Sequence, residues 1–69
     1  MKYKIKGKIY KFIEECEVVD HEFVIFKKII ENSKGERFYL LHSKYTNDYH
    51  LYTLNNKRVL SISQLSTIG

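Results

Sequence analysis

Apolar and polar residues alternate at short range along most of the chain. Residues 2–6, KYKIK, put Tyr3 and Ile5 on one side and Lys2, Lys4 and Lys6 on the other, the two-residue period of a strand with one buried face. Gly7 breaks that phase. The run EFVIFKKIIE (22–31) is rich in Phe, Val and Ile and is apolar on both faces at its two ends, as expected of a central strand. NSKG (32–35) reads as a four-residue turn with Gly35 at positive φ, after which ERFYLLHSKY (36–45) returns. That hairpin predicts Ile29 opposite Phe38, Phe26 opposite Leu41 and Lys28 opposite Tyr39.

The same pattern repeats towards the C-terminus. YTND (45–48) offers a second turn, YHLYTL (49–54) a strand, NN (55–56) a two-residue hairpin turn, and KRVLSIS (57–63) a returning strand. This pairing sets Leu51 against Leu60 and Tyr49 against Ile62 on a core face, with His50, Tyr52 and Val59 on the other.

Residues 8–17 fit two templates. Ile9, Phe12, Ile13 and Cys16 have helical spacing, whereas Tyr10, Phe12 and Ile13 suit a strand. Lys8 and Lys11 would stand at the positive end of that helix and Glu14, Glu15 and Glu17 at its negative end. Both placements oppose the helix dipole, which favours the strand. The chain therefore predicts an all-β, or mainly β, fold. Five to six short strands form an antiparallel meander curled into a small open barrel, SH3-like or OB-like. A short helix at 8–17 or over the C-terminal SQLSTIG is the helical alternative.

Length sets the scale of the core. A chain of 69 residues makes one small domain, which buries only about 60% of the surface exposed on unfolding. The single cysteine, Cys16, cannot form an internal disulfide; this fits a reducing, cytoplasmic setting. Lys11, Glu14 and Glu15 interrupt the apolar run after the basic N-terminus, unlike a secretory signal, and no stretch approaches a membrane span. With no disulfide, and more apolar and tyrosine surface than one small barrel hides, a homodimer is expected.

Charge changes the picture most. The net charge is +4, but residues 1–13 hold five lysines and no acid, and residues 14–22 hold five acids and no lysine or arginine. Lys2, Lys4, Lys6 and Lys8 share one face if they lie in one strand, spaced about 6.5–7 Å apart. Such a row could follow a phosphate backbone or guard a sheet edge against aggregation. The six tyrosines cannot all be buried in so small a core. Beside cations they can stack on unpaired bases, anchor a protein interface or simply populate strands. The candidate nucleic-acid-binding residues are Lys2, Lys4, Lys6, Lys8, Lys27, Lys28, Arg37, Tyr39, Tyr52, Lys57 and Arg58. The acidic stretch reads as a solvated loop or as a surface for a basic partner.

Chemistry-bearing residues are sparse. Cys16, His21, His42 and His50 do not have the spacing of a compact zinc motif. His42 and His50, with Lys44, Tyr45 and Asp48, are the nearest approach to a metal-independent ribonuclease set, yet their spacing forces no convergence. The sequence thus predicts a non-catalytic binding module without cofactor or metal. Nucleic acid is the first expected partner. A protein target is the second, bound through a sheet edge or a tyrosine patch as small phage or mobile-element inhibitors could do.

Overall fold

In a computed structural model, which describes residues 1–68, the alternating segments become seven antiparallel strands. They are β1 (Lys2–Ile5), β2 (Lys8–Glu15), β3 (Val24–Asn32), β4 (Arg37–Ser43), β5 (Tyr49–Thr53), β6 (Arg58–Ile62) and β7 (Ser66–Ile68). All belong to one sheet in the order β6-β5-β4-β3-β2-β1-β7. Among the described residues there is no helix. Residues 8–15 are strand, and the C-terminal segment is a seventh strand rather than a turn or helix.

Turn chemistry sets the registers. Lys6 and Gly7 both have positive φ, 51° and 79°, making a two-residue reversal that pairs Ile5 with Lys8 and matches the strand twist. The β3–β4 reversal has three residues, not four. Asn32 N–H and Glu36 C=O close it at 2.9 Å, and Gly35 stands at φ 81°. Asn32 Oδ1 also accepts from the backbone N–H of Lys34 and Glu36. This shorter loop moves the predicted register by one residue: Ile29 opposes Tyr39, Ile30 opposes Phe38, and Lys28 opposes Leu40 rather than Tyr39.

A second loop of this kind replaces the expected Asn-Asn turn. Thr53 and Lys57 close it, with Asn56 at φ 66°. Tyr52 then pairs with Arg58, Val59 is an extra residue on β6, and Leu51 still meets Leu60. The bulge restores the register that the sequence predicts for Tyr49–Ile62 and Leu51–Leu60. Further bulges fall at Ile13 in β2 and Ile25 in β3; each bends its strand and adds twist.

These bends let the sheet curl. Only residues 63–65 join β6, at one edge, to β7, at the other. Four Cα steps of about 3.8 Å span at most about 15 Å, so the two edges lie close together. The result is a half-barrel with its gap bridged by a covalent link, and Leu65 in that link packs against the core. The inner face buries Tyr3, Ile5, Tyr10, Ile30, Leu40 and Leu51, each at most 5% exposed. Every such side chain contributes about 1.5–3 kcal/mol of transfer free energy. Phe26, Phe38, Tyr49, Leu60 and Ile62 pack around them.

Candidate functional site

Strand periodicity assigns each predicted site residue to a face. The residues paired with buried neighbours point inward. The alternate set forms the outer face: Lys2 and Lys4 on β1, Lys11 and Glu14 on β2, Lys27, Ile29 and Glu31 on β3, Arg37, Tyr39 and Leu41 on β4, His50 and Tyr52 on β5, and Arg58 on β6. Tyr39 and Tyr52 are direct cross-strand partners and both are half-buried. Lys27 Nζ lies 4.1 Å from the centroid of the Tyr39 ring, a cation–π contact. Arg58 stands opposite Tyr52.

Charge separates by face. The outer face carries six basic side chains (Lys2, Lys4, Lys11, Lys27, Arg37, Arg58) and two acidic ones (Glu14, Glu31), while the rest of the chain holds six of each. The whole net charge of +4 therefore resides on the outer face. Part of it is internally compensated. Glu31 accepts from Arg37 Nε at 3.1 Å and lies 3.4 Å from Lys11 Nζ. The Arg37 hydrogen bond, followed by that of Lys11, holds the Glu31 carboxyl below the ordinary carboxylate range. Among the described residues, no ion pair involves Lys2, Lys4, Lys27 or Arg58.

Several candidates fall elsewhere. The four-lysine row is broken: Lys2 and Lys4 share the outer face, Lys6 occupies the reversal, and Lys8 pairs with Ile5 in the inward phase. Nor does the row guard an edge, because β1 is flanked by β2 and β7. Lys28 points inward. It donates to Tyr3 Oη at 3.3 Å, and its ammonium lies 4.4 Å from the Phe26 ring centroid. It lines a cleft of about 300 Å³ with Met1, Tyr3, Phe12 and Glu15. Lys57 belongs to the β5–β6 loop. Of the six tyrosines, Tyr3 and Tyr10 are core residues, whereas Tyr45 is 73% exposed and packs against Phe23.

The histidines do not converge. His42 faces inward, stacked on Tyr49 at 4.2 Å and hydrogen-bonded to Asn47. His50 faces outward, bonded to Ser61 at 2.8 Å. Among the described residues no group of three or more His, Cys, Asp or Glu side chains is placed to hold a metal ion. Cys16 is half-buried, and that burial pushes its thiol pKa up. Of the acidic stretch, Glu14 and Glu15 end β2, and residues 16–23 form the connection to β3.

Lys11 completes the face, although the charge pattern of the sequence does not single it out as a binding residue. Its pairing with Lys2 on one side and Glu31 on the other depends on the Lys6–Gly7 reversal, whose length the alternation alone does not give. Fold and face together define a small all-β half-barrel presenting one basic, tyrosine-bearing sheet surface. Compared with protein-family models, curated proteins and solved structures, the chain matches none of them. Among the described residues no helix is long and apolar enough to cross a membrane.

Proposed function

We propose that this chain is a non-catalytic nucleic-acid-binding module whose outer sheet face is the binding surface. One observation carries the reading: the entire net charge of +4 lies on the face that also presents the cross-strand partners Tyr39 and Tyr52. Cations there exchange condensed counterions for phosphates, and the rings supply stacking area. The short link that returns the last strand to pair with the first supports an SH3-like rather than an OB-like reading of the half-barrel. A cytoplasmic setting is consistent with the one free cysteine.

The test is fluorescence anisotropy with labelled oligonucleotides across a salt series. Micromolar or tighter binding that weakens steeply with salt supports the proposal. Absence of binding at low salt overturns it. A second reading rests on a different feature: β6 has a hydrogen-bonded neighbour on one side only, which suits strand addition by a protein target or a second copy. Capture of a defined protein from nuclease-treated extract, surviving moderate salt, favours that reading instead.

A further inference from the structure

The outer face has cations at both flanks and aromatic rings between them. Lys2 and Lys4 stand on β1 and Arg58 on β6, while Tyr39 and Tyr52 oppose each other on the intervening β4 and β5. A duplex offers such a face its phosphates and the base edges of its grooves but no open π surface, because its bases are stacked on one another. The face is also convex, so a rigid cylinder meets it along a narrow line. Two cross-strand tyrosines lying between those cations instead reward bases whose π surfaces are open. A flexible single strand can follow the curve and reach the cations on both flanks.

The dimensions agree. Five interstrand steps of about 4.8 Å separate β1 from β6, about 24 Å along the sheet. That is the length of about four extended nucleotides, at the low end of the site sizes of small β-barrels. We propose that the outer face binds a single strand of about four nucleotides, laid across the β-strands from β1 to β6, with consecutive bases on Tyr39 and Tyr52. Lys27 is the switch within this site. Its ammonium rests over the Tyr39 ring, 4.1 Å from the centroid. A base taking that place releases the ammonium to the phosphate beside it. The inference rests on the nucleic-acid reading above and narrows it to unpaired strands.

The experiment compares an oligothymidine of about eight nucleotides with a duplex of similar length, for the full chain and two double variants. Tyr39→Phe/Tyr52→Phe keeps both π faces; Tyr39→Leu/Tyr52→Leu keeps apolar bulk and removes them. The single strand should bind at least about tenfold tighter than the duplex, the Phe variant should stay within about threefold of the parent, and the Leu variant should lose about tenfold or more on single strands alone. Circular dichroism identifies any variant that unfolds, and the strand-versus-duplex comparison needs no variant at all. Duplex binding as tight as single-strand binding overturns this inference and leaves the nucleic-acid reading standing. Binding of neither overturns both. Equal affinity of the folded Leu and Phe variants overturns the stacking role.

Discussion

Two quadruple variants remove the same charge from different places. Lys2→Gln, Lys4→Gln, Lys27→Gln and Arg58→Gln strip the outer face of the cations that make no ion pair among the described residues. Lys6→Gln, Lys8→Gln, Lys34→Gln and Lys57→Gln remove four exposed lysines from reversals and the inward phase. Both sets take the net charge from +4 to zero. Each phosphate contact contributes about 0.7 to the slope of log affinity against log salt for a single strand, and about 0.9 for a duplex. If all four outer cations touch phosphates, the first variant loses about 2.8 units of slope on single strands, whereas the second keeps nearly all of it. The assay is anisotropy titration at several salt concentrations, with circular dichroism to confirm that both variants fold. Glutamine keeps length and polarity, so a slope change reports charge. Equal loss of slope in the two variants refutes the privileged face, because it means that only net charge matters.

Ile30 is fully buried between β2 and β4, so Ile30→Ala should cost about 2–5 kcal/mol. A domain of this size has about 3–10 kcal/mol in all, and thermal denaturation should show a large fall in midpoint; an unchanged midpoint contradicts the assigned core. The hydrogen bond from Arg37, and then that from Lys11, depresses the Glu31 pKa, so its contribution is present above the unfolded-state value and is lost as pH falls through the folded-state value. Parent and Glu31→Gln midpoints should therefore differ at neutral pH in low salt and converge below the ordinary carboxylate range; a gap that widens on acidification contradicts the sign. Pairing of two β6 edges should make the chain a dimer at tens of micromolar, to be read by sedimentation; a monomer at that concentration excludes it.

Alternation carried the positions of β1, β3, β4, β5 and β6 and the inward phase of three of the six core residues. Tyr3, Ile5 and Leu51 are inward-facing in phase with their own segments, and that phase is a local property of each segment; Ile30 and Leu40 are buried in segments that are apolar on both faces, where alternation gives no phase. What alternation does not carry is how many residues each reversal consumes. An Asn32-X-X-Gly35 run can close as a four-residue turn or as a three-residue loop ending on a left-handed glycine, and the Asn32 side chain favours the latter by accepting from Lys34 and Glu36. That one residue moves Tyr39 from opposite Lys28 to opposite Ile29. Lys27 is then the cation that reaches the Tyr39 ring. The lysine row was legible as charge but not as geometry, since Gly7 permits Lys6 to take positive φ and end the strand after Ile5. The seventh strand was the least legible: STI is short, and only its return to β1 across the half-barrel makes it a strand.

The outer face also does structural work, which constrains how it can be altered. A half-barrel with six buried side chains has a thin core, so the half-buried outer residues Ile29, Tyr39, Leu41 and Tyr52 form a second apolar layer on the central strands. Tyrosine suits both demands. Its ring covers neighbouring side chains across the strands, worth about 0.2–1 kcal/mol per pair, while its hydroxyl keeps the surface wettable. A lysine or serine at Tyr39 or Tyr52 would lose the ring altogether and weaken sheet and site together. Phenylalanine retains the cross-strand packing and the stacking surface. Leucine retains much of the packing and removes the stacking surface alone. Stability and binding on this face are therefore separable by the Leu–Phe comparison and not by alanine, whose effect on affinity would mix lost stacking with a loosened sheet.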